Sequence, residues 1–543
     1  MYKPNKKHLQ PLLISNVNDL PEKHRKRLEH SWAGVFYREF FIRLKEEPFA
    51  VLYAEIPSRP NVPVNVLVGL ETLKAGFGWS DEELYDNYVF DMQVRYALGY
   101  RDLKEGDFDL RTLYNFRQRL SRYNQEHGTN LLAQAFGDIT DQQLTAFKVQ
   151  TGRQRMDSTQ IASNILDATR LQLAVEALQR LQRIMSATDQ ERYGEWLSLY
   201  LKGDAGQYVY RVKGKEETAD HLERAGRVMY RLLQALKTDY EAEPVYQVVQ
   251  RFFAENFQVV DSETIQARDQ KTLGSGSLQS LDDLEASYRQ KGNRFYKGYV
   301  VNLTETCDVD NPLQLITQVQ VAPNNVEDAE LLIEALPELK KRTDLSVLYT
   351  DGGFGSPQAD QVLSNHQVEQ HQTGIRGHAP RADKLNLTDL SFEMDEAGKP
   401  TQVTCPQGQS AQVQPGTYAD YLVYFEAELC RSCPFHLEQS CRARRVKRDR
   451  SRFNWQFTHK EFLWSQRRKR YLALKQQTNN PRTAIEATVR SVKHPFPHSK
   501  LPVRGRFRVT CLIMGSAAMS NIRRIRGHLD RQIAGERLVN CPV

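Results

Sequence analysis

The stretch Leu345-Ser346-Val347-Leu348-Tyr349-Thr350-Asp351-Gly352-Gly353 decides the fold. Its apolar run is typical of a short strand, and the strand breaks into a glycine turn directly after an aspartate. Residues 295–303 and 313–321 also have strand character, and apolar and polar residues alternate through the second of these runs. A helical segment over 326–341 follows them. Two strands, a helix and a further strand predict a mixed α/β domain.

A second aspartate of the same kind lies much earlier, at Asp157, inside a strand-like segment over 148–161. Carboxylates at strand ends in α/β sheets, beside glycine turns, are open to ligands. An aspartate at a strand end more often caps a turn, so neither Asp157 nor Asp351 alone identifies a site. The residues from about 166 to 275 have helical periodicity and are interpreted as an insert between the strands.

A third carboxylate, Glu486, lies on a predicted helix near the C-terminal end. Asn480 suits the N-cap position of this helix, Pro481 suits its first turn, and Pro495 ends it. At 100° per residue, one helix face carries a carboxylate and three cations within about 80° of arc: Arg482, Glu486, Arg490 and Lys493. A surface salt-bridge stripe is one interpretation, but a phosphate ligand balances three cations better than one carboxylate does.

Three widely spaced carboxylates, the last beside arginine and lysine, are what a two-metal phosphodiester enzyme requires. Carboxylate oxygens hold Mg²⁺ while leaving several waters in place. Two such ions, about 4 Å apart, activate the attacking oxygen and stabilise the leaving oxygen. We therefore expect Asp157, Asp351 and Glu486 to bind two Mg²⁺ or Mn²⁺ ions.

The charges of the chain are unevenly distributed around a net charge of +7. Residues 441–543 contain 25 Lys and Arg against 5 Asp and Glu, a net +20, so the remaining residues carry −13. A segment this basic attracts a polyanion, usually nucleic acid, although a solvated charged face is the alternative. At 543 residues the chain exceeds one hydrophobic core, and we expect three or four domains. No run resembles a signal peptide or a membrane span, so we expect a cytoplasmic protein without a membrane partner.

The first 140 residues are predicted to be helical. Ser80 and Glu83 form a capping box, and Asp109 is expected to cap a later helix. One face of that later helix is apolar, and another carries a polar stripe: Arg111, Asn115, Gln118 and Arg122. A helix that reads DNA presents such a stripe, whereas the alternative is an ordinary amphipathic surface helix.

Four of the seven cysteines cluster in the region before the basic segment: Cys405, Cys430, Cys433 and Cys441. One CxxC pair with two outlying cysteines supplies the ligands of a tetrahedral structural zinc site, and unligated thiols in a reducing cytosol are the alternative. The basic segment that follows interleaves aromatic residues with cations, including Arg467 and Arg468. Cations contact phosphates and aromatic rings stack on unpaired bases, although each aromatic taken singly is more often a core residue.

Together these motifs resemble bacterial insertion-sequence DDE transposases with an RNase H-like catalytic core, in the group marked by a Tyr-(2)-Arg-(3)-Glu-(6)-Lys signature. Arg482, Glu486 and Lys493 match three positions of this signature, and Asn479 replaces its tyrosine. Asp157-Ser158-Thr159 is similar to the first aspartate motif of the family, and Asp351-Gly352-Gly353-Phe354 to the second. Further stretches resemble the family in residues 62–120, 280–306 and 515–526, so that the resemblance covers nearly the whole chain.

The resemblance implies an α/β fold: an RNase H-like mixed sheet with large helical and cysteine-bearing insertions, preceded by an all-α N-terminal domain. In such a sheet the first and fourth strands are neighbours, which brings Asp157 and Asp351 together. The expected organisation is an N-terminal helical segment over 1–60, a helical DNA-binding domain over 61–140, and the first part of the core over 141–375. The cysteine-bearing insertion over 376–475 and the C-terminal core helices over 476–543 follow.

The implied activity is metal-dependent cleavage of double-stranded DNA at the ends of an insertion sequence and transfer of the 3′ ends to target DNA. Arg482 and Lys493 are expected to contact phosphates, and the basic segment to bind the terminal inverted repeats near the cleavage point. The resemblance also implies a homodimer in the synaptic complex and association with the bacterial nucleoid. Two alternatives stay open: a nuclease of the same fold without strand transfer, and a DNA-binding regulator that has lost catalysis.

Overall fold

The computed structural model describes residues 1–10, 14–55, 60–261, 264–376, 380–396, 398–447, 449–476 and 481–539, with the backbone alone for 535–539. The predictions made for Asn479 and Asn480 fall outside these residues. Within the described residues, no helix combines the length and apolar character needed to cross a membrane.

Helices make up the first 146 residues. The predicted capping box forms at the start of α4, where Ser80 and Glu83 bond each other's backbone N–H groups. Asp109 caps α6 as predicted, by accepting a hydrogen bond from the backbone of Arg111. The helices are α1 (Glu22–Glu29), α2 (Trp32–Phe36), α3 (Val64–Phe77), α4 (Asp81–Phe90), α5 (Met92–Ala97), α6 (Leu110–His127) and α7 (Leu131–Ala146).

The first long strand, β1 (Arg153–Ile161), is followed by a helical insert with its own hydrophobic core. The insert ends in a small two-stranded hairpin, β2 and β3. Its elements are α8 (Arg170–Ile184), α9 (Ala187–Leu197), α10 (Ala205–Arg211), α11 (Lys215–Ala235), α12 (Lys237–Tyr240), α13 (Pro244–Asn256), β2 (Phe257–Val259) and β3 (Ile265–Ala267).

The central sheet is completed by residues 287–372. Its further elements are β4 (Ser287–Lys291), β5 (Arg294–Thr306), β6 (Ile316–Pro323), α14 (Asp328–Arg342), β7 (Val347–Thr350), α15 (Pro357–Asn365) and β8 (Glu369–Gln372). The strand order is β6-β5-β1-β7-β8, with β4 paired to the first residues of β5. β5 runs antiparallel to β1 and β6, whereas β7 runs parallel to β1 and β8. The expected mixed sheet is thereby confirmed, and β1, which carries Asp157, lies next to β7, which ends before Asp351.

The cysteine-bearing insertion forms two small antiparallel sheets. Together with the first turns of a long helix, these sheets form a hydrophobic core of their own. That helix, α18, begins with a capping box between Thr458 and Glu461. The elements are β9 (Ser391–Met394), β10 (Pro400–Thr404), β11 (Ser410–Gln412), β12 (Gln414–Pro415), β13 (Tyr421–Glu426), α16 (Ala427–Arg431), α17 (Pro434–Leu437), β14 (Arg444–Arg445), β15 (Arg452–Phe457) and α18 (His459–Lys475).

Two C-terminal helices return to the central sheet: α19 (Ile485–Lys493) and α20 (Arg506–Val539). α20 packs against both the N-terminal helix α3 and the edge strand β6. The contact with α3 is close, because a Cβ added at Gly76 would overlap the Met519 side chain. The Asn521 side chain bonds both the N–H and the carbonyl of Ile316, at 2.8 and 3.0 Å. The N-terminal helices, one face of the sheet and α20 thus share a single core.

Candidate active site

Two aspartates lie side by side on the parallel strands β1 and β7: Asp351 directly follows β7, whereas Asp157 lies in the middle of β1, which continues to Ile161 and so corrects the expected strand end. The register pairs Arg155 of β1 with Tyr349 of β7. Asp157 and Asp351 each follow two residues later, so they occupy the same level of the sheet on neighbouring strands. Asp351 ends its strand by capping a short helical turn, where its Oδ1 accepts the N–H of Gly353 at 2.7 Å. This turn is the strand end that the sequence predicted.

The electrostatics of the pair show how close the two carboxylates are. Burial raises the pKa of the Asp157 carboxyl, and the nearby Asp351 carboxylate raises it further. The Arg482 guanidinium opposes both effects, because its Nη2 donates to Asp157 Oδ1 at 3.0 Å. A cation from the helical turn before α19 therefore neutralises the first aspartate, at the position where a metal ion would carry the positive charge.

Glu486 and Lys493 lie at opposite ends of α19, which packs against β1. Lys493 Nζ donates to Thr159 Oγ1 at 3.0 Å and to the carbonyl of Gln160 at 3.1 Å, beside the first aspartate on β1. Burial lowers the pKa of Lys493. Glu486 is exposed in the first turn of the helix, and Arg490 is exposed as well.

The structure brings Asp157 and Asp351 together and holds the helix of Glu486 next to them. The three carboxylates are not arranged as ligands of one metal ion. Among the described residues, no group of three or more His, Cys, Asp or Glu side chains is arranged to hold a metal ion. The donor set nevertheless suits a hard divalent cation, because carboxylate oxygens are its preferred ligands. Both aspartates are partly buried, and Arg482 forms the ion pair with Asp157.

A buried carboxylate that sequence reasoning did not single out as functional, Glu305, fixes α19 to the sheet. Its side chain is fully buried near the end of β5. Its carboxylate accepts three hydrogen bonds, from Arg155 Nε at 2.6 Å, Thr488 Oγ1 at 2.7 Å and Arg524 Nη1 at 2.6 Å. Arg155 also donates to the carbonyl of Pro481 at 2.6 Å, in the turn that carries Arg482. The only local signal for this cluster is a glutamate at the end of an apolar strand.

The predicted polar stripe of α6 lies on the surface of the protein. All four of its residues are exposed: Arg111, Asn115, Gln118 and Arg122. Arg117, in the same helix, instead makes ion pairs of 2.7 Å with both Glu71 and Asp81. Within the described part of the chain, the side chains of the stripe make no hydrogen bond or ion pair. Its contact with DNA stays a prediction.

The basic segment after Cys441 is only partly a surface, which corrects the prediction made for Arg467. The Arg467 side chain is 7% exposed, and its Nη1 pairs with Asp360 at 3.2 Å. Its position between α15 and α18 keeps it away from a DNA ligand. Arg468 is half-buried and lies over the Trp464 ring at 5.7 Å. The aromatics Phe453, Trp455 and Phe457 belong to the core, in agreement with the alternative interpretation of these rings.

The four clustered cysteines line one cavity of about 210 Å³ in the cysteine-bearing insertion. Cys405, Cys430, Cys433 and Cys441 are all unbridged. Burial raises the pKa of Cys430 to about 11, and the nearby Cys441, Cys433 and Cys405 thiols contribute to the increase. Such a cavity disfavours thiolates unless a cation balances them, so its chemistry suits zinc, although the described thiols do not have ligand geometry.

One comparison with known proteins identifies the domain. Residues 253–522 match a family model described as a transposase DDE domain. The match includes Asp351, Glu486, the cysteine-bearing insertion and most of the sheet, and it begins after Asp157. Comparisons with curated proteins and with solved structures each gave no significant match.

Proposed function

We propose that this chain, in which residues 253–522 match a transposase DDE domain, is a DDE transposase that cuts DNA at the ends of an insertion sequence and joins the freed 3′ ends to target DNA. The observation that carries the proposal is the register of β1 and β7, which puts Asp157 and Asp351 at one level of the sheet. Neighbouring buried carboxylates of this kind repel each other and call for a shared cation.

Asp157, Asp351 and Glu486 are the residues that would hold the metal ions, two Mg²⁺ or Mn²⁺ per site. Bound there, the ions would supply charge stabilisation for the attacking and leaving oxygens of an in-line displacement. Glu486 lies on the first turn of α19, and the bonds of Glu305 hold that helix at a fixed distance from the sheet.

Arg482 and Lys493 would position the DNA backbone. In this structure Arg482 neutralises Asp157. With the carboxylates neutralised by bound cations, the Arg482 guanidinium would be free to bind a phosphate in bidentate fashion. Lys493 is held against Thr159 and acts as a point charge near the end of β1. Arg490, exposed between them in the chain, extends this basic face of α19.

Double-stranded DNA is the proposed partner outside the catalytic centre as well. The exposed stripe of α6 and Arg468 of α18 would contact the terminal inverted repeats. A homodimer would process both ends of the element together in the synaptic complex. The protein would act at the nucleoid of a bacterial cytoplasm.

The test is cleavage of a supercoiled plasmid that carries the gene with its native flanks. We compare Mg²⁺ with EDTA, and the wild type with Asp351→Asn and Glu486→Gln. Metal-dependent breaks at the flanks, joined to new DNA and absent in both variants, are the expected result. Breaks that are never joined would favour a nuclease without strand transfer. Binding to the flanks without breaks in any protein would contradict the catalytic proposal and favour a regulator.

A structural zinc ion in the cysteine cavity is proposed separately. The protein purified without chelator is expected to contain one zinc per chain by elemental analysis, and Cys430→Ser is expected to lose it. Cys307→Ser is the matched control, because Cys307 is a buried thiol outside the cavity. Zinc-free wild-type protein that folds and melts normally would contradict the proposal.

A further inference from the structure

A fourth carboxylate, Asp328, contacts the strand that carries the first catalytic aspartate. Asp328 is the first residue of α14, and its side chain is 5% exposed. Its Oδ1 accepts the hydroxyl of Ser158 at 2.7 Å. Ser158 directly follows Asp157 on β1, so this bond fixes the strand at the residue next to the first ligand.

The second oxygen of Asp328 reaches the turn that carries the other catalytic aspartate. A Cβ added at Gly353 would overlap Asp328 Oδ2 and would lie 2.9 Å from Asp351 Oδ1. Both carboxylates therefore border the same glycine, whose N–H already bonds Asp351. A side chain at position 353 would displace the ends of the Asp328, Asp351 and Arg376 side chains, so the glycine lets the turn approach Asp328 closely.

A cation balances the charge of Asp328 from the outside. Arg376 Nη2 lies 3.5 Å from Asp328 Oδ2. Its Nη1 lies 3.1 Å from Oε2 of Glu327, the residue directly before α14. The Arg376 side chain is 56% exposed, so it neutralises the carboxylate without belonging to the core.

We propose that Asp328 is a positioning residue that sets the separation of Asp157 and Asp351 for divalent-cation binding. The two catalytic carboxylates repel each other, and a metal site loses affinity when its ligands must first be ordered. Asp328 bonds the neighbour of one ligand and confines the turn of the other. This inference rests on the proposed function, because it concerns the metal site of the same reaction.

The test measures metal binding directly. Mn²⁺ is titrated into DNA-free protein and the free ion is counted by electron paramagnetic resonance, for the wild type, Asp328→Ala, Asp328→Asn and Ser158→Ala. We expect Asp328→Ala to weaken binding about tenfold or more, the usual effect of removing an outer partner of a metal ligand. Asp328→Asn keeps an acceptor for Ser158 and is expected to recover part of the affinity. The Mg²⁺ concentration for half-maximal plasmid cleavage should shift in the same order.

Asp189→Ala is the matched control. Asp189 also lies in the first turn of a helix and accepts a serine hydroxyl, Ser186 Oγ, at 2.7 Å. It belongs to the helical insert, and its removal is expected to leave Mn²⁺ affinity unchanged. The double variant Ser158→Ala/Asp328→Ala should bind as weakly as Asp328→Ala alone, because both changes break one bond.

The outcomes separate this inference from the proposed function. Unchanged Mn²⁺ affinity in Asp328→Ala, with normal binding by the wild type, overturns the inference alone. A wild type that neither binds Mn²⁺ nor cleaves DNA overturns both. If Asp328→Ala fails to fold, as judged by circular dichroism, Ser158→Ala decides: weaker binding supports the inference and unchanged binding overturns it.

Discussion

Replacement of Glu305 by glutamine tests whether the buried cluster holds α19 in place. The change keeps the shape of the side chain but removes the negative charge that three donors share. The glutamine keeps one acceptor oxygen, but its NH2 group then faces the donors of either Arg155, which bonds Oε1, or Arg524, which bonds Oε2. Because the cluster joins β5 and β1 to α19 and α20, we expect the helix of Glu486 to open locally while the remainder of the protein stays folded.

The magnitude follows from the burial of the partners. Glu305 is 0% exposed, and the side chains of Arg155 and Arg524 are 10% and 25% exposed. Breaking a buried ion pair by removing one partner costs about 3–5 kcal/mol, and we take about 3 kcal/mol because water reaches Arg524. At about 1.4 kcal/mol for each factor of ten, α19 should open roughly 150 times more often.

Hydrogen exchange measured by mass spectrometry reads this opening directly, since amide exchange reports local unfolding. Peptides covering 485–493 should exchange about a hundredfold faster in Glu305→Gln, and DNA cleavage should fall with them. Asp141→Asn is the control, because Asp141 forms an ion pair of 2.7 Å with Arg342 between α7 and α14. Unchanged exchange of α19 in Glu305→Gln, or equal acceleration in the control, would refute the reasoning.

Three further predictions concern other parts of the molecule. Gly353→Ala should lower DNA cleavage at least about tenfold without loss of DNA binding, because the added Cβ would overlap Asp328 and crowd Asp351. Gly274→Ala is the control and should cleave normally, because no atom lies within 4 Å of its added Cβ. Burial raises the pKa of the Asp81 carboxyl, but bonds from Arg117 and Lys74 outweigh it and hold that pKa below its usual range. The stability that these bonds contribute is present above the unfolded pKa of about 3.9 and is lost as the pH falls through the folded pKa. At pH 7, the thermal stability of Asp81→Asn should therefore be lower than that of the wild type. In acid, the thermal stability of Asp81→Asn should vary less with pH than that of the wild type. Arg467→Ala should lower the melting temperature, because it leaves Asp360 buried without its ion-pair partner. Arg468→Ala should instead weaken DNA binding and reduce the salt dependence of that binding by about one charge. The melting temperature of Arg468→Ala should equal that of the wild type.

The parts of the fold that could be predicted are those with a local signal. The strand that ends at Asp351 is an apolar run broken by a glycine turn, and the caps at Ser80 and Asp109 are single-residue features. The adjacency of β1 and β7 has no such signal, since almost 200 residues separate them. Family resemblance supplied that expectation.

The remaining site residues depend on contacts between distant segments. Glu305 joins residues 155, 488 and 524, and Asp328 joins residues 158 and 353, so periodicity within one segment cannot reveal either. Arg467 was predicted to lie on a DNA-binding surface because a run of cations in the sequence indicates a basic segment. Such a run does not show which of its side chains face solvent. The structure places Arg467 on a buried side of α18, two turns before the buried Leu474.

The central claim is that Asp157, Asp351 and Glu486 surround one metal site. It is tested most directly by replacing Mg²⁺ with Fe²⁺ and generating hydroxyl radicals at the bound ion with ascorbate and peroxide. The protein backbone is then cut next to the metal, and mass spectrometry maps the cuts. We predict cuts near residues 157, 351 and 486 that excess Mg²⁺ suppresses and that Asp351→Asn abolishes. Cuts confined to other segments, or cuts that persist in Asp351→Asn, would contradict the account.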